Sequence, residues 1–216
     1  FSIDDLSYFK SNEQGFICQL NSFVFELPLI GSFNLSNAMA AYKSVKSLGY
    51  DDDTLIPKLA ELSPPPGRMQ KLAKKNIWID YAHTPDALLN AVITLQDHYP
   101  DYKIRLVFGC GGDRDKTKRQ IMGKIASENA HSIVITNDNP RSEEPGKIID
   151  DILAGIKVEN DFQVILDRKK AIISAVTTLD ENEVLLIAGK GHETTQTIGS
   201  QILPFSDIEV ALNALI

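Results

Sequence analysis

Cysteine is scarce in this 216-residue chain: Cys18 and Cys110 are the only two, too few and too scattered for the disulfide framework of a small secreted domain. A reduced, cytoplasmic setting follows. No apolar run approaches the roughly 20 residues needed to span a bilayer, and no signal peptide is visible, so no membrane partner is expected. Positive charge is not in excess either. Against 29 Asp and Glu stand 22 Lys and Arg, a net charge of −7, which argues against a nucleic-acid partner. The phosphate-binding pattern G-x-x-x-x-G-K-[ST] occurs nowhere in the sequence, so a complete cradle for ATP phosphates is missing. The first residue is Phe1 rather than Met, and the expectation is a piece of a longer chain. What is plentiful is apolar surface: 43% of residues are hydrophobic, enough for a substantial core and too many for a disordered chain.

Two patterns of elements succeed one another. Residues 2–30 alternate weakly, with short apolar runs such as "GFICQL" and "SFVFELPLI", which predict short strands and hairpins. "NLSNAMAAYKSVKSLGY" places Leu35, Ala38, Ala41, Tyr42 and Val45 near helical spacing, with Gly49 as a stop, and a second short helix is expected over 53–62. Then "SPPPGR" interrupts. Three prolines cannot continue a helix and stiffen the joint, which marks a boundary between 1–66 and 67–216. After it, strands and helices alternate. "NIWID", "KIRLVFG", "SIVIT", "FQVIL" and "VLLIA" read as strands. The helices between them bury Leu88, Leu89, Val92, Ile93 and Leu95; then Ile121, Met122, Ile125 and Ala126; then Ile148, Ile149, Ile152 and Leu153; then Ala171, Ile172, Ala175 and Val176, this last helix capped by Asp167. Near-continuous apolar strands in a βαβα rhythm predict an α/β fold with a mostly parallel, Rossmann-like sheet and helices on both faces. "TIGSQIL" predicts a hairpin turning at Gly199-Ser200, and "SDIE" a capping box for a last helix.

In such sheets ligands sit beyond the carboxyl ends of the strands. Four of the five strand ends are polar: "DYAHTPDA", "GCGGDRDKTKR", "NDNPRSEEP" and "GKGHETT". The fourth strand runs into "DRKK", which a helix start explains. "GCGG" begins a dinucleotide fingerprint, but its third glycine position is Arg114, so the match fails and a nicotinamide-dependent dehydrogenase loses ground. The segment reads instead as a flexible loop that extends Arg114 toward a ligand. In "DNPR", Arg141 offers a planar fork suited to a carboxylate, while Asp138 only accepts and suits an ammonium. "GKGHE" adds two glycines and a second acceptor, Glu193. Singly, each has a plain reading as a turn, a cap or a surface pair; all at one edge, they point to a cup for a zwitterion. A binding module without chemistry of its own is the alternative.

The pieces "GSFNLSNAMAA", "PGRM", "DYAHTPDAL", "FGCGGDRDKTKR", "DNPRSEEP" and "AGKGHE" run in order from Gly31 to Glu193, and by them the chain resembles the Mur ligases. These make ATP-dependent peptide bonds in bacterial cell-wall precursor synthesis. The resemblance is to members that add meso-diaminopimelate to UDP-N-acetylmuramoyl-L-alanyl-D-glutamate. It implies that 1–66 is the end of a central ATPase domain and 67–216 a C-terminal domain that takes the incoming amino acid, in a monomer that uses ATP with Mg. The precursor carboxylate is phosphorylated, and the amine attacks the acyl phosphate. By resemblance, Arg114, Asp138, Asn139, Pro140 and Arg141 form the diaminopimelate set, with Gly189 and Glu193 as its other wall. His83, the catalytic candidate, and Asn34, Asn37, Arg68 and Asp80 resemble residues that lie at the ATP. No metal ligand is assigned. Folate-polyglutamate ligases share the architecture but have no need of "DNPR". Gln70 departs from the family, which often has Glu after "GRM".

Overall fold

The computed structural model describes residues 3–12, 14–72 and 75–216. Contacts divide the chain into two compact units between Pro64 and Pro65, inside "SPPPGR".

The first unit opens with three antiparallel strands in the order β1 (Tyr8–Asn12), β2 (Gly15–Leu20) and β3 (Phe23–Leu27). Two helices follow, α1 (Ser32–Lys46) and α2 (Asp52–Ala60). Phe16, Cys18, Leu20, Phe25 and Leu27 pack against Leu35, Ala38, Met39, Tyr42, Ile56 and Leu59. The helix α1 starts two residues before the "NLSN" expectation and turns Met39 rather than Ala41 inward; Ala41 and Val45 are exposed. Asp51 caps α2 by accepting from Thr54 N at 2.9 Å.

The second unit is built on six strands. Their ranges are β4 (Gln70–Leu72), β5 (Ile77–Asp80), β6 (Lys103–Phe108), β7 (Ser132–Ile135), β8 (Asp161–Val164) and β9 (Glu183–Ala188). The spatial order is β4-β5-β9-β6-β7-β8. Only β4, at one edge, is antiparallel to its neighbour. Helices α3 (Pro85–His98), α4 (Thr117–Asn129) and α5 (Pro145–Leu153) pack side by side. The other face is covered by α6 (Arg168–Thr177) and α7 (Asp207–Asn213), whose Ala171, Ile172, Ala175, Val176, Val210 and Ala211 close over Ile77, Ile79, Val107, Val134, Leu185 and Ile187. Strands β10 (Thr195–Ile198) and β11 (Gln201–Pro204) form the expected hairpin. Asp167 and Ser206 cap α6 and α7 through the Lys170 and Glu209 amides. No helix among the described residues is long and apolar enough to cross a membrane.

Three helix and strand expectations shift. Ile93 and Ile121 face outward, 38% and 49% exposed. Ala91 is buried in α3, while Gly123 and the guanidinium of Arg119 fill the space under α4. The "FQVIL" segment forms a strand, but all four residues of β8 are exposed, because β8 ends the sheet with no further strand beside it.

Candidate functional site

The chain runs from β6 outward to β7 and β8, then returns to insert β9 between β5 and β6. Where strand order reverses, the loops on the two sides diverge and leave a crevice. A cleft of about 690 Å³ opens there. It is lined from four strand ends, by His83 after β5, Arg114 after β6, Asp138, Asn139 and Arg141 after β7, and Gly189 and Glu193 after β9. Seven of the sequence-predicted residues therefore share one cavity. Pro140, Arg68 and Asp80 do not line it. Asn34 and Asn37 belong to the first unit, on α1, where Asn34 Nδ2 donates to Ile30 O at 2.9 Å and Asn37 is exposed.

The loops after β6 and β7 are locked together. Gly112 N donates to Asn139 O at 2.9 Å, and Arg141 Nη1 donates to Gly112 O at 2.8 Å. The Asp113 carboxylate accepts from both Ser142 N (3.1 Å) and Ser142 Oγ (2.8 Å). Glu143 accepts from Asp113 N and holds the buried Arg119 through Nη2 and Nη1, at 2.9 and 3.0 Å. Within the glycine loop the residues divide: a Cβ on Gly112 would lie 1.9 Å from Pro140 O, so that glycine serves contact between two loops, while Gly109, Gly111 and Arg114 line the cleft. A third element clamps the same stretch from the other side. Gln196 Nε2 donates to Asp138 O (2.7 Å), Thr197 N to Asn139 Oδ1 (2.9 Å), and Arg141 N to Thr197 O (3.1 Å), while Gly199 N donates to Arg141 O (2.7 Å). This backbone pairing fixes Arg141 at a φ of 52°, where a non-glycine residue needs such support.

Arg119 and Asp113 hold Glu143 well below the usual carboxylate range, at about 2. Because that folded value lies below the ordinary 4.5, the contribution of Glu143 to stability is complete above pH 4.5 and fades as pH falls toward 2. Glu143→Gln is therefore expected to be less stable than the parent at neutral pH, with the gap narrowing between pH 4.5 and 2. Urea midpoints across that range would check this; a gap independent of pH would contradict it.

Within the cleft the charges have distinct surroundings. Arg141 spends Nη1 on Gly112 O and Asn139 O, and Nη2 and Nε make no hydrogen bond to any described residue. Arg114 is exposed, and among the described residues its side chain hydrogen-bonds only within its own loop, to Asp113 O (3.3 Å). Asp138 is buried, with its Oδ2 2.8 Å from where a Gly189 Cβ would stand; Gly189, at a φ of 115°, keeps that carboxylate clear. Burial alone would raise the Glu193 carboxyl. The hydrogen bond and charge of Lys190, with the amide of Asn139, overcome it and hold Glu193 below its ordinary value. His83 Nδ1 lies 2.9 Å from Tyr81 O. A carbonyl oxygen only accepts, so Nδ1 carries a proton toward it, and in the neutral imidazole Nε2 is the acceptor. Lys118 binds His83 O at 2.7 Å and lines the same wall. Cys110 also lines the cleft, but burial pushes its thiol up to about 12, so it carries no thiolate at neutral pH.

Asp80 has a structural task. Its two oxygens accept from Met69 N and Ala82 N, both at 2.8 Å. Burial raises its carboxyl against the pull of those bonds. Arg68 lies over the Tyr81 ring, 4.7 Å from its centroid. Gln70, which departs from the family pattern, accepts from Gly67 N at 2.7 Å and so closes the "PGRM" turn without a charge.

The family model described as "Mur ligase, glutamate ligase domain" matches residues 67–191. The chain belongs to the Mur ligase family. Its relatives named UDP-N-acetylmuramoyl-L-alanyl-D-glutamate–2,6-diaminopimelate ligase include one from Rickettsia conorii, 43% identical over 202 residues, covering 93% of this chain and 42% of the relative. Another, from Coxiella burnetii, is 47% identical over 194 residues, covering 88% and 40%. This Mur ligase segment thus spans about two fifths of the curated relatives it matches. A solved ligase of the same name superposes with a TM-score of 0.73 at 34% identity, over 97% of this chain and 44% of the other. Folylpolyglutamate synthase from Thermotoga maritima (TM-score 0.62, 20% identity, 85% and 42% covered) shares the fold.

Four features around the cleft are not legible in the sequence. They are the buried Lys190, the Arg119–Glu143 clamp, the docking of the expected hairpin behind Arg141, and Arg168, whose "DRKK" reads in sequence only as a helix start. Each depends on partners 3 to 58 residues away. The one available signal was Lys190 lying between two glycines in "GKGHE".

Proposed function

We propose that the cleft takes meso-diaminopimelate as the incoming amine of an ATP-dependent amide ligase. UDP-N-acetylmuramoyl-L-alanyl-D-glutamate would be the acceptor, as the names of the relatives suggest. The observation that carries the reading is one cavity with an uncommitted guanidinium edge on Arg141 and acceptors on Asp138 and Glu193. A zwitterionic head needs that pair of charges. Arg141 grips the distal carboxylate, Asp138 or Glu193 takes the ammonium beside it, and Arg114 swings onto the other carboxylate. Lysine lacks the distal carboxylate and would leave the fork of Arg141 desolvated without a partner, which costs on the order of 1–3 kcal/mol.

The reacting amine needs a proton acceptor and a fixed approach. His83, with Nε2 free, stands at the cleft wall as that acceptor, and the locked loops hold the amine in place. ATP, when bound, supplies the phosphoryl group that activates the acceptor carboxylate. Toward its phosphates the chain offers donors of suitable chemistry in Arg68 and Lys118. Asn34 and Asn37 remain the nucleotide-side candidates by family resemblance, and Mg²⁺ would accompany the nucleotide. Titration calorimetry of the chain with meso-diaminopimelate and with L-lysine tests the amino-acid reading. Diaminopimelate is expected to bind at least about tenfold more tightly; equal affinities, or binding of neither, would overturn it.

A further inference from the structure

We propose that Lys190, which nothing in the cleft can reach, is the positioning residue that keeps Glu193 an anion aimed into the cleft and fixes which way the Asn139 amide faces. The proposal rests on the amino-acid reading of the cleft and adds a residue to it.

Lys190 has no exposed surface and does not line the cavity. Its Nζ donates to Glu193 Oε2 at 2.8 Å and to Asn139 Oδ1 at 3.0 Å. A buried ammonium is costly unless paired and hydrogen-bonded, so these two acceptors are required where they are. Asn139 Oδ1 also accepts from Thr197 N at 2.9 Å, which leaves its Nδ2 to donate to the same Glu193 oxygen at 3.1 Å. The amide could not flip without setting NH₂ against both an ammonium and an N–H. Glu193 Oε2 is thus filled by two donors, and Oε1 is the oxygen left for a ligand cation. The turn makes this possible: Glu193 N bonds Lys190 O at 2.9 Å, and Gly191, at a φ of 54°, reverses the chain between them.

The remaining charges around Glu193 come from Arg141 and Asp138 on the loop after β7 and Arg168 on α6. None of these donates a hydrogen bond to the Glu193 carboxylate; Lys190 does. Without it, burial acts on Glu193 against weaker opposition, the carboxyl takes up a proton at higher pH, and a protonated acid no longer attracts an ammonium.

The test is calorimetry with meso-diaminopimelate from pH 8 to pH 5, on the parent chain, Lys190→Met, Glu193→Gln and the double variant. The parent is expected to hold its affinity across the range. Lys190→Met is expected to lose about tenfold or more between pH 8 and pH 6, and the double variant to bind no worse than Glu193→Gln alone. A loss for Lys190→Met that is equal at every pH, or that adds fully to Glu193→Gln, would overturn the proposal and leave Lys190 a packing residue. A second readout needs no ligand. The carboxyl-carbon resonance of Glu193 in the parent chain is expected to titrate below the ordinary value of 4.5, and a midpoint at or above it would overturn the proposal. If the parent does not bind diaminopimelate at any pH, the amino-acid reading fails separately, and the resonance, compared between the parent and Lys190→Met, still decides the part played by Lys190.

Discussion

Asp207→Ala is expected to cost about 3–5 kcal/mol of stability, the range for stranding one member of a fully buried ion pair. Neither Arg168 nor Asp207 has any exposed side-chain surface. Arg168 Nε and Nη2 donate to the two Asp207 oxygens at 2.8 and 2.7 Å. Without Asp207 the guanidinium keeps only the carbonyls of Ala188 (2.9 Å) and Asn137 (3.4 Å), which cannot neutralise it. A domain of this size shifts by roughly 2–4 °C per kcal/mol, so the melting temperature should fall by about 6–20 °C. Replacing both partners, Arg168→Met with Asp207→Leu, removes both charges and is expected to be far milder than Asp207→Ala alone. Thermal unfolding of the three proteins checks this; an Asp207→Ala protein as stable as its parent would mean that Arg168 finds water. The pair also bears on the site. Those two carbonyls close β9 and follow β7, so Arg168 ties together, beneath the cleft, the strand ends that carry Gly189 and Asp138.

Arg141→Ala is expected to weaken meso-diaminopimelate binding roughly ten- to hundred-fold, the range for losing hydrogen bonds to a charged group, while lysine binding stays nearly unchanged. The preference between the two amino acids then disappears. The comparison isolates the side chain, because both residues must adopt the same positive φ of 52° and neither is glycine. Arg141→Lys keeps the charge but loses the planar fork, and should recover only part of the preference. Calorimetry with both ligands distinguishes this from a collapsed loop, which would weaken lysine to the same degree. An unchanged preference in Arg141→Ala would refute the assignment of the distal carboxylate to Arg141.

The strand and helix rhythm after "SPPPGR" was legible because a parallel strand covered on both faces must be apolar throughout, and helices must repeat near every 3.6 residues. The caps at Asp167 and Ser206 were legible because capping is local, within three residues. The phase of the helices was not. Ile93 and Ile121 sit beside buried residues on their helices, and hydrophobicity alone does not say how far the apolar stripe extends before it meets solvent. The edge strand β8 read like a buried one for the same reason: pairing partners are absent from a one-dimensional pattern.

By itself the sequence determined the fold class, the polar strand ends and their residue types, since those follow from periodicity and from which side chains can meet a carboxylate or an ammonium. The tertiary structure decided which of those residues share a cavity, and which acceptors were already committed. Asp80 was turned into a brace for Met69 and Ala82, the glycine loop into a clamped one, and Lys190 and Arg168 into buried charges beneath the site. The reason is that a charge is defined by its neighbours, and the neighbours here are brought together only where β9 inserts between β5 and β6.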